Sequence, residues 1–267
     1  MRLIYVRQYF RRRRPSEPAL TRSRLDVPIS AGGHGKKFIM VRTPTNYRLR
    51  VVATQFGGGG AHAEPLLAST TPEISQSAWA EAMASTVDDL LEFDIVPPTE
   101  LKMDRATGRV FSVQKFVPNA VTLYDFRKQA SHPDVNRNEI MKVLLFDLIV
   151  GSTDRHTGNI MVSLSGRKVY AIDNENIVTS KWRPRPLLKN IAILGDGYHQ
   201  FPVWGRKIPE DIRQKVQNLE EGDLRAALAG MPKVNIDDAV FRLNVVKKWT
   251  HIPTLDEFKN MPNQPNL

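Results

Sequence analysis

One segment near the middle of the chain limits its possible folds more than any other. The sequence reads FDLIVGSTDRHTGNIMV over residues 146–162, and VYAID follows over residues 169–173. Just upstream, apolar residues recur at helical spacing between Asn138 and Val150, which predicts a buried helix. A polar loop and two short apolar runs come after it. This order predicts a core helix that delivers a polar loop to one end of a hairpin.

The two apolar runs predict that hairpin. Asn159–Leu164 and Lys168–Ile172 are rich in β-forming residues, and Ser165-Gly166 between them is a turn signal. Antiparallel pairing would bring Asn159 and Asp173 to the same end of the hairpin. Both side-chain oxygens could then face one divalent ion. Mg²⁺ suits such a site, because it takes few protein oxygens and completes its shell with water and phosphate.

Three oxygen-bearing side chains thus form a pattern that suits phosphoryl transfer. Asp154 precedes Asn159 by five residues, and Asp173 ends the second apolar run. Transfer from ATP uses one carboxylate to orient or deprotonate the acceptor hydroxyl, and an amide oxygen with a second carboxylate to hold Mg²⁺ on the phosphates. The sequence therefore predicts ATP and Mg²⁺ as cofactors. The alternative is a surface turn at Asp154-Arg155 beside an ordinary core helix.

The motif Asp154-Arg-His-x-x-Asn159 resembles that of the atypical kinases. The Asp-to-Asn spacing is that of the protein-kinase catalytic loop, whereas the Asp-Arg-His order is similar to the phosphatidylinositol 3- and 4-kinases and the bacterial HipA-like Ser/Thr kinases. Residues 171–174 (AIDN) are similar to the metal-binding segment of type II phosphatidylinositol 4-kinases, and residues 81–88 and 94–99 agree with that group. The resemblance implies an α+β, bilobal protein-kinase-like fold, with a small β-rich N-lobe and a mainly helical C-lobe.

The resemblance also implies a role for each residue of the motif. Asp154 would be the catalytic carboxylate, His156 would share its task as a base, and Arg155 would brace the loop. Asn159 and Asp173 would hold Mg²⁺.

The sequence departs from the kinase pattern at one position. The resemblance implies that Glu81, on a helix of the N-lobe, pairs with a phosphate-binding lysine. That lysine is expected near the end of a strand over residues 48–56, where the chain has Thr54 and Gln55 instead. Without a substitute the phosphate grip is weakened, and the protein is a poor catalyst or a pseudokinase. The cations that could substitute are Lys36, Lys37, Arg42 and Arg50.

A glycine-rich segment precedes the first strand-like run. Residues 30–37 read SAGGHGKK, and glycines let backbone N–H groups approach a phosphate while lysines add positive charge. We predict a phosphate-cradling loop here, with a flexible surface loop as the alternative. Its contacting residues would be Gly32, Gly33, Gly35, Lys36 and Lys37.

The expected kinase-like division of the chain has three parts. Residues 1–29 are a basic arm, residues 30–117 the N-lobe, and residues 118–267 the C-lobe with the catalytic loop. By its position in the resemblance, Phe116-Val117 would be the hinge whose backbone bonds the adenine ring. An ordinary edge strand is the alternative at this place.

The net positive charge of the chain comes from its first 50 residues. Residues 1–50 contain 13 Lys and Arg but only two acids, whereas the formal net charge of the whole chain is +10. The densest point is Arg11–Arg14. An arm of this kind (residues 1–14) can dock on an acidic protein partner, bind nucleic acid or an anionic membrane surface, or remain a solvated tail.

Composition sets the remaining limits. The 41% apolar and 25% charged fractions are typical of a soluble globular protein, and no apolar stretch approaches the ~18 residues of a membrane span. The absence of cysteine fits a reducing compartment, and we expect a cytoplasmic protein. The sequence predicts a Mg-ATP-dependent phosphotransferase acting on a protein Ser/Thr hydroxyl, with a lipid hydroxyl as the other acceptor. The alternatives are a pseudokinase that serves as a nucleotide-binding scaffold, and a structural protein that docks through its basic arm.

Overall fold

The computed structural model of the chain describes residues 36–42, 48–54, 76–103, 110–129, 131, 133–178, 203–254 and 256–257. Of these, residues 36–42, 48–54, 76–77, 102–103 and 110–111 are described by their backbone alone.

Strands and helices alternate irregularly along the described chain. The strands are β1 (Lys36–Arg42), β2 (Arg48–Thr54), β3 (Thr99–Met103), β4 (Val110–Lys115), β5 (Ala120–Thr122), β6 (Ile160–Ser163) and β7 (Val169–Ala171). The helices are α1 (Gln76–Leu91), α2 (Leu123–Lys128), α3 (Arg137–Val150), α4 (Glu210–Asn218), α5 (Glu221–Ala227) and α6 (Lys233–Lys247).

The strands form two antiparallel sheets. The first has the order β1-β2-β4-β3, and the second has the order β5-β6-β7. The segment between Lys115 and Ala120, which contains the predicted hinge Phe116-Val117, connects the two sheets. The α+β class predicted from the sequence is confirmed, whereas the bilobal division stays a prediction. Lys36 and Lys37, predicted at the end of a phosphate loop, are the first two residues of β1, because the β1–β2 pairing continues as far as Lys36 opposite Thr54. Their contact with phosphate stays a prediction.

Helix α1 is stabilised by the burial of most of its side chains. Its alanines favour the helix, and Met83, Val87 and Leu91 join the main hydrophobic core. The alanine-rich sequence predicts a helix from Ser77 to Phe93. The helix ends at Leu91 instead, because Glu92 takes a left-handed backbone conformation with a φ of 53°. Helix α1 packs against β3 and β4 on one side and against α4 and α5 on another.

Helix α3 is the central helix of the core. The Asn136 side chain caps its first turn by accepting the Asn138 N–H at 3.0 Å. Almost every residue from Glu139 to Val150 is buried, as the sequence predicts. The helix ends at Gly151, whose φ of 65° is the left-handed conformation that glycine adopts at a helix C-terminus. The chain therefore turns sharply there into the loop that carries the motif.

Three helices close the C-terminal part. The sequence predicts helices over residues 209–218, 221–229 and 236–249. Helices α4 and α5 agree with the first two to within two residues, whereas α6 begins at Lys233, three residues earlier than predicted. Pro232 precedes α6, and a proline at this place is compatible with a helix start because its missing N–H would have no partner in the first turn. No helix among the described residues is long and apolar enough to cross a membrane.

Candidate functional site

The motif loop begins where α3 stops. The carbonyl oxygen of Asp147 accepts the backbone N–H groups of Gly151 and Ser152, the latter at 2.9 Å. The loop then returns on itself, because Asn159 Nδ2 donates to the carbonyl oxygen of Asp154 at 2.9 Å. This bond orients the Asn159 amide, so that its oxygen is the end left to act as an acceptor for a ligand.

Arg155 holds this loop against three other segments. Its side chain is fully buried, and Nε and Nη2 form a fork on the Asp147 carboxylate of α3, at 3.1–3.2 Å. Nη1 donates to the carbonyl oxygens of Asn159 and Ile172, and Nη2 also donates to Asn174 Oδ1. Burial raises the pKa of the Asp147 carboxyl, and the Arg155 guanidinium opposes that shift. The sequence-based expectation that Arg155 braces the loop thus has a direct geometric counterpart.

The hairpin brings Asn159 and Asp173 to one end. Strand β6 pairs with β7 in the register Ile160 opposite Ala171, and the Ile172 N–H donates to the Asn159 carbonyl oxygen at 3.0 Å. Asp173 comes next and has a φ of 59°, a left-handed conformation that is uncommon outside glycine and asparagine. Backbone strain of this kind is concentrated at functional sites.

The donor set at this end of the hairpin fits Mg²⁺. An amide oxygen and a carboxylate are hard oxygen ligands, and Mg²⁺ bound in this way keeps positions for phosphate and water. Among the described residues no group of three or more His, Asp or Glu side chains is placed to hold a metal. A metal held by Asn159 and Asp173 would therefore need further oxygen ligands from a nucleotide and solvent.

Asp154 and His156 are the exposed members of the loop. The Gly158 N–H donates to His156 Nδ1 at 3.0 Å, which assigns the proton of the neutral ring to Nε2. In the neutral ring, the lone pair on Nδ1 therefore already accepts a hydrogen bond from Gly158. In this arrangement Asp154, rather than His156, is the side chain suited to accept a proton from an incoming hydroxyl.

Glu81 lies beside the segment that follows Asp173. Its Oε1 accepts the backbone N–H of Asn174 at 3.0 Å, and both residues are buried. A helix and the end of the hairpin, 93 positions apart in sequence, are thereby joined next to the predicted metal ligand. The pairing of Glu81 with a lysine stays a prediction, because the side chains of Lys36 and Lys37 lie outside the described residues.

The other predicted nucleotide contacts stay predictions. Gly32, Gly33 and Gly35 lie outside the described residues. Phe116 is half-buried and Val117 is buried in the connection between the two sheets. Their assignment as a hinge that bonds adenine stays a prediction.

Sequence reasoning missed two residues that build the site. Asp147 is the carboxylate that neutralises Arg155, and Asn174 joins Arg155 to Glu81 through its side chain and its backbone. A signal for Asp147 existed, since it is the only acid between Ile140 and Val150. A lone carboxylate inside such a run is expected to have a buried partner.

Comparisons with known proteins add little to this geometry. No protein-family model matches the chain, and no match is found among curated proteins, so the resemblance to HipA-like and phosphatidylinositol kinases stays a proposal. Among solved structures, the chain is similar to the Helicobacter pylori proinflammatory kinase CtkA, with 13% identity and a TM-score of 0.46 over 84% of this chain and 91% of that one. A similarity of this degree assigns neither an activity nor site residues to this chain.

Proposed function

We propose that the chain is a Mg-ATP-dependent phosphotransferase of the atypical-kinase type. The observation that supports the proposal is the backbone position of Asn159 and Asp173 at one end of the β6–β7 hairpin, directly after the loop that exposes Asp154. These are the oxygen-bearing groups that phosphoryl transfer requires.

Each residue has a distinct task in this proposal. Asp154 orients the acceptor hydroxyl and takes its proton, while Arg155 keeps the loop in one conformation and makes no contact with the nucleotide. Asn159 and Asp173 hold Mg²⁺, which when bound would neutralise the phosphate charge. Because the loop and the hairpin share the Arg155 contacts, the distance from Asp154 to the metal ligands is preset before substrate binds.

For the acceptor we propose a protein Ser or Thr hydroxyl. Asp154 and His156 are exposed on the loop, which leaves the reacting carboxylate accessible to a polypeptide. An inositol lipid is the other acceptor that an assay should include, presented in vesicles that contain phosphatidylinositol.

The test is transfer from γ-labelled ATP in the presence of Mg²⁺, with protein and lipid acceptors and with mass spectrometry for self-modification. Asp173→Ala is expected to abolish transfer, because the metal loses its carboxylate ligand. Asp134→Ala removes an exposed carboxylate elsewhere and should leave the rate unchanged. Transfer at the wild-type rate by Asp173→Ala would rule out the proposed site.

A nucleotide-binding scaffold without catalysis is the second candidate. Thr54 and Gln55 at the expected lysine position favour it. Against it, the β1–β2 register puts Lys36 directly opposite Thr54, so that of the four possible substitutes Lys36 stands closest to the place of the missing lysine. Stabilisation by Mg-ATP without transfer to any acceptor would select the scaffold.

A further inference from the structure

The last helix contacts both segments that carry the proposed site. Helix α6 packs along α3, and two of its polar side chains, Asn235 and Arg242, are buried. They lie seven residues apart and therefore on the same face of the helix. Neither belongs to the Asp154–Asp173 motif, and nothing in the proposed function assigns them a task.

Arg242 contacts the end of α3. Its Nε donates to the carbonyl oxygen of Ile149 at 3.0 Å. Its guanidinium also lies against Gly151, since a Cβ added to that glycine would be 2.7 Å from Nη2 and 2.8 Å from Cζ. A side chain at position 151 would thus collide with Arg242 as well as strain the backbone.

The Arg242 contact provides a hydrogen-bond donor and a positive charge at the C-terminus of α3. The last carbonyl groups of a helix have no partner within it and carry partial negative charge. In α3 the Asp147 oxygen accepts the Gly151 and Ser152 N–H groups, the Ile149 oxygen accepts Arg242 Nε, and the Val150 oxygen accepts the Val178 N–H. Arg242 adds a positive charge at this negative end. Burial lowers its pKa to about 10, so the guanidinium stays charged at neutral pH.

Asn235 contacts the second segment. Its Nδ2 donates to the carbonyl oxygen of Val178 at 2.7 Å, and Val178 N–H in turn donates to Val150. Val178 has a φ of 56°, which is strained for a β-branched residue and requires support from its surroundings. Residues 174–178 connect Asp173 to this point, so Asn235 holds the chain just beyond the proposed metal ligand.

We propose that Arg242 and Asn235 of α6 are positioning residues, which hold the two segments that flank the proposed active site in register with each other. Arg242 fixes the position at which α3 ends and the Ser152–Asn159 loop begins. Asn235 sets the path of the chain after Asp173. The effect of these residues on turnover rests on the proposed function, whereas their effect on the two segments does not.

The test compares Arg242→Met and Asn235→Ala in the full chain, by amide hydrogen exchange and by steady-state kinetics. Arg242→Met is expected to increase exchange about tenfold in residues 151–159, and Asn235→Ala in residues 174–178. Both should lower kcat about tenfold while the KM for ATP changes less than about twofold, because the groups are displaced but not removed. Arg242→Lys keeps the charge and a donor, and should recover part of kcat.

Arg213→Met is the matched control, since Arg213 is an arginine of a neighbouring helix that pairs with Glu210 at the surface. It should change neither readout. If wild-type protein transfers no phosphate, the proposed function fails, and the exchange data alone then decide the positioning role. Unchanged exchange in residues 151–159 of Arg242→Met, or in residues 174–178 of Asn235→Ala, overturns the inference even if the melting temperature falls.

Discussion

Two buried charged groups show how a single side chain is accommodated in this core. Arg155 is fully buried, and each of its three nitrogens donates to a carboxylate, an amide oxygen or a backbone carbonyl. Asp88 is also buried, and its Oδ2 accepts the N–H groups of Ile95 and Val96 at 3.0 and 2.9 Å. Within the described residues its Oδ1 has no hydrogen-bond partner. Burial, reinforced by the nearby carboxylates of Asp89 and Asp94, therefore raises the pKa of Asp88 to about 7.

This raised pKa makes stability depend on pH. Between pH 3.8 and about 7 the folded protein keeps a proton on Asp88 that the unfolded chain releases, so this carboxyl stabilises the fold as the pH falls through that window. The gain is roughly 1.4 kcal/mol per pH unit. Asp88→Asn, which resembles the protonated form, should flatten this dependence in urea unfolding at pH 5, 6, 7 and 8. Asp134→Asn removes an exposed carboxylate that is not among the groups that shift the Asp88 pKa, and it should keep the wild-type slope. A wild-type slope in Asp88→Asn would contradict the assignment.

At the scale of elements, α1 carries a polar stripe inside the core. Glu81, Ser85 and Asp88 follow helical spacing, and all three are buried. Each accepts backbone N–H groups from a different segment: Glu81 from Asn174, Ser85 from Thr99, and Asp88 from the turn after the helix. The stripe fixes α1 to the sheet and to the hairpin by directional bonds. The sequence showed the Ala-rich helix, but the partners of the stripe are distant along the chain.

Ser85→Ala tests this stripe without touching the proposed site. The substitution leaves the buried Thr99 N–H, which Ser85 Oγ accepts at 3.1 Å, without its partner. We expect a loss of about 1–3 kcal/mol in the free energy of unfolding. Thr86→Ala is the control, because the Thr86 hydroxyl donates to Ala82 O of the same helix and alanine suits that position. Equal losses in the two variants would mean that the Ser85 contact contributes nothing specific.

At the scale of the whole molecule, the proposed site is assembled from segments that are far apart in sequence. The chain of contacts runs from Asp147 through Arg155 and Asn174 to Glu81. It joins the central helix, the motif loop, the end of the hairpin and α1 in one buried polar network. On the proposed function, the remaining nucleotide contacts are expected from the N-terminal sheet, where Lys36 stands opposite Thr54.

Adjacent lysines provide the test of that last element. On the proposed function, Lys36→Ala removes the cation that replaces the missing lysine, and the KM for ATP should rise about tenfold or more, since bonds to charged groups contribute about 1.5–3 kcal/mol. Lys37→Ala is the comparison, because Lys37 is the other lysine predicted to contact phosphate and its register partner is Ala53 rather than Thr54. A larger effect from Lys37→Ala than from Lys36→Ala would exclude the substitution by Lys36.

Local patterns in the sequence determined the elements around the motif. Burial of α3 follows from its apolar run, and the placement of Asn159 and Asp173 at the same end of the hairpin follows from the turn at Ser165-Gly166, because a short turn sets the register of a hairpin. Boundaries were less predictable: α1 ends early at Glu92, and the short elements β5 and α2 have too few residues for a periodic pattern.

Only the tertiary structure decided which polar residues are buried and what they contact. Nothing in the sequence distinguishes the buried Arg242 from the half-buried Arg213, or Ser85 from Thr86, because each is an ordinary polar residue on a helix. Their different roles depend on which segment packs against them, and a segment distant in sequence is not encoded in local spacing. The local sequence thus determines the motif and the elements that carry it. The contacts that hold the motif residues in place arise only when distant segments pack together.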